Sequence, residues 1–280
     1  MSKIICVVED SKPVKRDLLY GHGVSFWIET LAGNLLFDTG PKAELLSHNL
    51  NVLNLDIQSI DALALSHSHY DHTGGLAAVL PQRKPGPVYA LPDIFTKRYS
   101  FKEGDYQSIG LSAADETLLR QSNLVLQEEP VQIFPGLWTS GLIKNRPEPM
   151  GSSSHHYIFR DQNWVHDPYL DDMSLVLETQ PGLVLICGCC HAGLLNTMLH
   201  VQSHFEKPIH TVIGGTHLVS SDDEQLGHVL KVLDERYPKL TYYLNHCTGA
   251  KAITRLGKTF GETVHPFQAG QILEFDNLPT

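Results

Sequence analysis

The sequence predicts an α+β protein (α/β in the broad sense) in which two β-sheets pack face to face with helices outside, an αββα sandwich. Both halves of the chain show strand patterns followed by helical patterns, which suits two layers of sheet and helix. Neither a repeat of fixed period nor a low-complexity tract interrupts these patterns. A chain of 280 residues can bury a large core without disulfides or structural metals. We therefore expect residues 1–280 to form a single domain.

The N-terminal half is predicted to alternate strands with helices. Segments rich in β-branched and aromatic residues predict strands, and apolar residues at helical spacing predict helices. The second and third strands are separated only by Leu31-Ala32-Gly33, which indicates a hairpin. The predicted elements are strands Ile4–Val8, Val24–Glu29 and Asn34–Asp38, helix Ala43–Leu50, strand Ile60–Leu65, helix Leu76–Leu80 and strand Pro87–Ala90.

The C-terminal half is predicted to repeat this scheme. Gln180-Pro181-Gly182 is a turn signal between two apolar segments and predicts a second hairpin. Ser221-Asp222-Asp223-Glu224 predicts a capping box, and a helix should follow because apolar residues recur at helical spacing from Leu226 to Leu233. The predicted strands are Leu175–Glu178, Leu183–Cys187, 209–213 and Tyr242–Leu244, the last of which leads to His246.

Two segments have no clear periodicity. Residues 98–130 are predicted to form an insertion or a lid over a site. Residues 144–154, rich in proline, glycine and serine, are predicted to be a loop within the domain, because strand patterns resume on both sides.

Composition argues against several classes of protein. The net charge of −10 disfavours a nucleic-acid backbone or an anionic membrane as the main partner, since both attract basic surfaces. No run of 18 apolar residues predicts a membrane span, and the first apolar stretch is too short for a signal peptide. The five cysteines, three of them within residues 187–190, do not resemble a secreted disulfide framework. We expect a cytoplasmic protein without a nucleic-acid or membrane partner; the sequence does not indicate its oligomeric state.

The strongest functional signal is a cluster of metal-ligand side chains directly after the predicted strand Ile60–Leu65. Its members are His67, His69, Asp71 and His72. Because side chains alternate along an extended segment, His67 and His69 point to the same side. Imidazole and carboxylate suit Zn²⁺, Mn²⁺ or Fe²⁺, and the pairs His67/His69 and Asp71/His72 can each serve a different ion. We therefore expect one or two divalent metal ions, zinc first, with manganese or iron as alternatives.

This cluster resembles the HxHxDH motif of the metallo-β-lactamase superfamily. Further segments resemble that family in the same chain order, from about residue 21 to residue 249; they are Gly21–Ser25, Asn34–Gly40, Gly188–Gly193, Gly214–Leu218 and His246–Gly249. Together they are similar to a subfamily of metal-dependent hydrolases that includes archaeal dihydropteroate-synthase-like enzymes of methanopterin biosynthesis. The resemblance implies the metallo-β-lactamase fold, with metal ligands on loops at one edge of the two sheets.

The resemblance also implies roles for single residues. Asp38 is expected to support the metal site, and Asp71 is expected to orient the nucleophile as well as to bind metal. His217 is expected to be a general acid, since the unperturbed pKa of histidine suits proton donation near neutrality; a ligand role is its alternative. The complete expected ligand set is His67, His69, Asp71, His72, His191 and His246.

One position departs from the family pattern. The usual Gly-Asp after the strand Leu183–Cys187 is Gly188-Cys189 here. Cys189 or Cys190 could replace the missing carboxylate as a soft ligand, although a small buried hydrophobic role is the expectation for each. Asp172 could instead reach the site from the neighbouring strand. His156 is expected to be solvated, with a ligand role as its alternative.

These residues predict a metal-dependent hydrolase acting on a small molecule. A divalent ion lowers the pKa of water towards neutrality and polarises a substrate oxygen, which suits attack on an ester, amide, lactone or phosphodiester. The alternative is a transferase like the relatives that join a dihydropterin to an aminobenzene ribosyl phosphate. An aromatic pair in the pocket would favour it, and the candidates are Tyr70, Tyr99, Phe101 and Trp138. A metal or redox sensor built on the cysteines is a third interpretation.

Overall fold

Two β-sheets of seven strands each face one another across the centre of the protein. The computed structural model describes residues 1–13 and 15–277. From edge to edge, the first sheet contains β18 (Ile272–Phe275), β1 (Ser2–Val8), β2 (Ser25–Thr30), β3 (Gly33–Phe37), β4 (Ile60–Ala64), β5 (Pro87–Ala90) and β8 (Asn123–Leu126). The second contains β17 (Val264–Pro266), β16 (Thr241–Leu244), β15 (Ile209–Gly214), β14 (Gly182–Cys187), β13 (Leu175–Thr179), β10 (Leu137–Thr139) and β9 (Gln132–Phe134).

Helices cover the outer faces of both sheets. On the first sheet they are α1 (Ala43–Val52), α3 (Leu76–Val79) and α4 (Ala113–Arg120), with the single-turn α2 (Tyr70–Thr73) at its edge. On the second sheet they are α5 (Leu194–Phe205), α6 (Asp223–Arg236) and α7 (Ala250–Phe260). The layers therefore follow the predicted order of helix, sheet, sheet and helix.

The alternation of side chains along the strands builds three apolar layers. In β2, Phe26 and Ile28 point between the sheets, whereas Trp27 points towards the helices. In β14, Val184 points between the sheets and Leu185 points towards the helices of the second sheet. These side chains are almost fully buried, and each contributes about 1.5–3 kcal/mol through burial.

Most predicted elements match the structure within two residues at each end. Both predicted hairpins are confirmed, because β2 pairs antiparallel with β3 and β13 with β14. The predicted capping box is wrong by one residue. Asp222, rather than Ser221, caps α6, and its partner is Gln225 rather than Glu224. Both pairs fit the capping pattern, and the structure selects the one that starts the helix at Asp223.

A third, four-stranded antiparallel sheet lies outside the sandwich, and the sequence analysis did not predict it. Its strands, from edge to edge, are β12 (Asn163–His166), β11 (His156–Arg160), β6 (Arg98–Lys102) and β7 (Asp105–Ser108). The segment 98–130 is therefore divided: residues 98–108 join the third sheet, whereas α4 and β8 belong to the sandwich. Movement of residues 98–108 as a lid stays a prediction. Residues 144–154 contain neither helix nor strand.

Among the residues that the structure describes, no helix combines the length and the apolar character needed to cross a membrane.

Candidate metal centre

Loops that follow strands of both sheets meet at one edge of the sandwich. Strands β3 and β4 are parallel, and so are β14, β15 and β16, so the carboxyl ends within each set lie on one side. Side chains from the two sheets touch there. His72 Nε2, after β4, lies 3.2 Å from Cys189 Sγ, after β14, and 3.3 Å from His246 Nε2, after β16.

The first group of ligand atoms comes from His67, Cys189 and His191, and its atoms lie within 4.8 Å of one another. His69 adjoins this group, because its Nδ1 lies 3.0 Å from His67 Nε2. His191 Nδ1 donates a hydrogen bond to the carbonyl of Gly151 at 3.0 Å, so its Nε2 carries a lone pair. That Nε2 is buried without a partner, which costs about 1–3 kcal/mol when nothing binds it. The donor set therefore fits a cation.

The second group comes from His72, Cys189 and His246, whose ligand atoms also lie within 4.8 Å of one another. Asp71 adjoins it: its Oδ2 lies 3.4 Å from His246 Nε2 and 3.7 Å from His72 Nε2. Cys189 belongs to both groups, so its thiol lies between two sets of imidazoles.

A buried carboxylate, Asp38, organises the loop after β4. Its Oδ1 accepts the Ser66 N–H at 2.7 Å, and its Oδ2 accepts Ser66 Oγ–H and His72 Nδ1–H, both at 2.7 Å. Ser66 Oγ in turn accepts from His67 Nδ1 at 2.8 Å. Both histidines therefore present Nε2 to the centre, the arrangement that outer carboxylates impose on metal-binding imidazoles. These contacts agree with the supporting role predicted for Asp38.

Gly188 allows the end of β14 to approach this network. A Cβ atom at this position would lie 2.2 Å from Ser66 Oγ and 2.9 Å from Asp38 Oδ2. Any side chain would displace one of these groups, so the contact between the two sheets at the centre requires glycine.

Cys189 does not have the purely hydrophobic role that the sequence analysis favours for it. It is buried, as expected, but it faces His72 and the first group of imidazoles rather than an apolar layer. Cys190 does lie in the apolar layer beneath the helices of the second sheet, as predicted for it. Burial raises the pKa of the Cys189 thiol, whereas a bound cation favours the thiolate. Residue type alone does not predict which of these two cysteines faces the imidazoles. The backbone turn between them decides it.

His217, predicted as a general acid, lies beside the first group. Its ring centroid is 4.2 Å from that of His191, and its Nδ1 is buried without a hydrogen-bond partner. Burial lowers the pKa of His217 to about 3, so the imidazole is neutral near pH 7. General acid catalysis by His217 stays a prediction, and it requires a proton acquired during the reaction.

Asp172 and His156 lie next to the centre but outside both groups. Asp172 Oδ2 accepts the Ala192 N–H at 2.8 Å, which holds the loop that carries His191. His156 was expected to be solvated, yet it is partly buried, with its ring 5.2 Å from that of His69. Its Nδ1 lies 3.0 Å from the Tyr169 hydroxyl.

The protonation states of the first group suit metal binding. Burial lowers the pKa of His67, His69 and His191 well below the usual range, so these imidazoles are neutral near pH 7. Neutral imidazole and ionised carboxylate are the forms that bind metal ions.

In the second group, burial opposes ionisation of Asp71, but His72 and His246 more than offset it and lower the pKa of this carboxyl. Burial also opposes protonation of His246, but Cys247, Asp10 and Asp71 outweigh it and raise its pKa. The His246 imidazole must therefore lose a proton when an ion binds.

Two further residues, Asp10 and His22, complete the surroundings of the second group. Asp10 Oδ1 accepts from His246 Nδ1 at 2.7 Å, and its Oδ2 lies 2.9 Å from His22 Nδ1. The segment Gly21-His22-Gly23 stands out in the sequence, but no pattern marks Asp10. Its partner His246 is 236 residues away in the chain.

A cavity opens onto the centre, and a second cavity adjoins the first one on its outer side. The inner one, of about 310 Å³, is lined by ligand side chains, and the outer one has a volume of about 860 Å³. Both are lined by Ser153, His217 and Ser220. Among the described lining residues, Lys102 is the one lysine or arginine, and Tyr70 is the one tyrosine, phenylalanine or tryptophan.

Comparison with known proteins assigns this chain to a family. The model of the metallo-β-lactamase superfamily matches residues 20–189. The chain belongs to that superfamily. The fold expected from the HxHxDH resemblance is thereby confirmed. Metallo-β-lactamase-fold proteins use divalent metal ions, and this chain presents candidate ligand groups for them.

Two relatives and one solved structure are similar to this chain over 85–99% of its length. The 7,8-dihydropterin-6-methyl-4-(beta-D-ribofuranosyl)-aminobenzene-5'-phosphate synthase of Methanocaldococcus jannaschii is 30% identical over 98% of this chain and 96% of that protein. An uncharacterized protein of the same organism is 31% identical over 85% of this chain and 88% of that protein. A crystal structure of a metal-dependent hydrolase of the β-lactamase superfamily is similar with a TM-score of 0.84 and 25% identity, covering 99% of this chain and all of that one.

Proposed function

We propose that the protein is a metal-dependent hydrolase with two divalent ions at this edge of the sandwich. One observation carries the proposal: two groups of ligand atoms share Cys189 and lie beside an open cavity. Adjacent cation sites are typical of enzymes in which both the attacking and the leaving oxygen are stabilised.

The two ions would be held by different sets of side chains. His67, His69 and His191 would hold the first ion, and Asp71, His72 and His246 would hold the second, with Cys189 common to both. Ions bound there lower the pKa of water and polarise a substrate oxygen. Zinc suits this mixture of imidazole, thiolate and carboxylate, and manganese or iron are the alternatives.

Two side chains of the cavity wall act on the substrate in this proposal. Asp71 is ionised, so it can accept a hydrogen bond from an attacking water and orient it. His217 is neutral and lines both cavities, so it can hydrogen-bond a substrate oxygen, take up the proton that the attacking water releases and pass it to the leaving group.

The cavities favour a polar small molecule as the substrate. Serine hydroxyls line the outer cavity, and Lys102 can balance one negative charge on a substrate. An ester, a lactone or a phosphodiester fits these features.

A pterin-dependent transferase is the second candidate, and the 30% identity with the archaeal synthase over nearly the whole chain favours it. The cavity argues against it, because a pterin needs aromatic stacking. Of the four aromatic candidates only Tyr70 lines the cavity. Tyr99 packs edge-on against Trp164, and Trp138 against Phe205.

The test separates the two candidates. The chelated protein is reloaded with zinc, manganese or iron and assayed with bis-p-nitrophenyl phosphate, p-nitrophenyl acetate and a γ-lactone. We expect turnover of at least one of them, lost on chelation and in His67→Ala. Quenching of tryptophan fluorescence by a dihydropterin, without any metal-dependent hydrolysis, would favour the transferase. Absence of both effects would contradict both candidates.

A further inference from the structure

We propose that His22 is an additional ligand of the second metal ion, supplied by the loop that precedes β2. The inference rests on the proposed two-ion centre and adds a residue to it. The expected superfamily ligands come from the loops after β4, β14 and β16, whereas His22 lies near the N-terminus.

The orientation of His22 is that of a ligand. Its Nδ1 lies 2.9 Å from Asp10 Oδ2, so it donates there, and in the neutral ring its Nε2 presents a lone pair. That Nε2 lies 3.4 Å from Asp71 Oδ2. His246 shows the same arrangement, with Nδ1 2.7 Å from Asp10 Oδ1 and Nε2 3.4 Å from the same Asp71 oxygen. The Asp10 carboxylate therefore orients the imidazoles of both His22 and His246. The Nε2 atoms of both rings lie close to the same oxygen, Asp71 Oδ2.

The backbone fixes this distance. The Gly23 N–H donates to Asp10 Oδ1 at 3.0 Å, and Val24 N–H donates to the carbonyl of Asp71 at 3.3 Å. Gly23 has a φ of 144°, and a Cβ there would lie 2.2 Å from that carbonyl oxygen. Only glycine permits the loop to come this close, so the approach of His22 to the second group is built into the chain.

The exposed ring of His22 is held in one orientation between two carboxylates, Asp10 and Asp71. The His22 side chain is 62% exposed, and fixing an exposed ring costs conformational entropy. Metal-binding histidines typically donate one ring N–H to an outer carboxylate and direct the other ring nitrogen towards the metal ion. With His22, five side chains surround the second ion: His22, Asp71, His72, Cys189 and His246.

The test compares metal-free wild type with His22→Ala, His22→Gln and a control, His204→Ala. His204 is also an exposed histidine, but its Nδ1 bonds to the carbonyl of His200 within α5. Each protein is titrated with Co²⁺; the number of ions, their Kd by chelator competition and the visible spectrum of each equivalent are recorded. Far-UV circular dichroism checks that each variant folds.

We expect wild type and His204→Ala to bind two ions. Both His22 variants should keep the first ion but bind the second about tenfold or more weakly, with a changed visible spectrum for the second equivalent. If they match His204→Ala in affinity and spectrum, the inference is wrong and the metal centre stands. If wild type binds a single ion, the inference and the two-ion proposal are wrong. If it binds none, the proposed function is wrong as well.

Discussion

Replacing Asp38 by asparagine should weaken metal binding by reversing the tautomer of His72. Asp38 accepts the Ser66 N–H through Oδ1 and His72 Nδ1–H through Oδ2, each at 2.7 Å. An asparagine offers an oxygen on one side and an NH₂ group on the other. The backbone N–H of Ser66 cannot lose its proton, so the NH₂ group faces His72, whose proton then moves to Nε2. Nε2 is the nitrogen next to Cys189, and a protonated nitrogen cannot bind a metal ion.

The size of this effect follows from the charge that is lost, since the hydrogen bonds to the Asp38 carboxylate become hydrogen bonds to a neutral amide. A hydrogen bond to a charged group contributes about 1.5–3 kcal/mol, so the chelated variant should unfold with a free energy lower by about that amount. Since about 1.4 kcal/mol corresponds to a factor of ten in affinity, the second ion should bind about 10- to 100-fold more weakly. This range agrees with the loss that usually follows removal of a carboxylate behind a metal-binding histidine.

Zinc competition with a chromophoric chelator measures the affinity, and urea unfolding of the chelated protein measures the stability. Asp61→Asn is the matched control, because Asp61 lies on β4 and accepts the Asn34 N–H at 2.8 Å, away from the centre. If Asp38→Asn binds both ions within threefold of Asp61→Asn, the tautomer argument is refuted.

Three further predictions concern pH, the buried arginine and the thiol. The metal-free protein should lose stability as the pH falls from about 6.5 to 5. Histidines whose pKa is lowered by burial take up protons on unfolding, each worth up to about 1.4 kcal/mol per pH unit; they are His67, His69, His156, His191 and His217. Three buried carboxyls with a raised pKa, namely Asp167, Asp171 and Asp172, oppose this effect in part. Urea unfolding at pH 5, 6 and 7.5 with chelator measures this, and a flat profile would contradict it. Arg98→Met should destabilise the protein by about 3–5 kcal/mol, since the buried guanidinium faces three carboxylates at 2.6–2.9 Å, namely Asp93, Asp167 and Asp171; an unchanged melting temperature would disprove the argument. Cys189→Ser should abolish the sulfur-to-cobalt charge-transfer band of the Co²⁺ protein while Cys6→Ala keeps it, and a band that survives in Cys189→Ser would exclude that thiol as a ligand.

Local sequence patterns predicted the sandwich and the first part of the site. The ligands from His67 to His72 are close in the chain and follow a buried strand, so their spacing alone indicates that they share one edge. The hairpins and the helices α1, α3 and α6 were equally visible, because their apolar residues repeat with the period of the element, whereas α4, α5 and α7 were not predicted. The third sheet was not visible, since strands such as β7 are mostly exposed and lack that alternation.

Contacts between distant segments account for what the sequence did not predict. Asp10 acquires its role only because the loop after β1 meets the loop after β16. Cys189 and Cys190 are chemically identical, and only the turn between them decides which faces the imidazoles. The capping residue of α6 was ambiguous for a similar reason, because two overlapping four-residue patterns both fit.

The metal content of the purified protein tests the central claim most directly. Elemental analysis would compare wild type and His204→Ala with His67→Ala, Asp71→Ala and His191→Ala after reconstitution with zinc, manganese or iron. The two-ion centre predicts about two ions per chain in wild type and the control, as in two-metal hydrolases, and fewer in each of the three site variants. Wild-type protein without metal after reconstitution, or site variants with as much metal as the control, would contradict it.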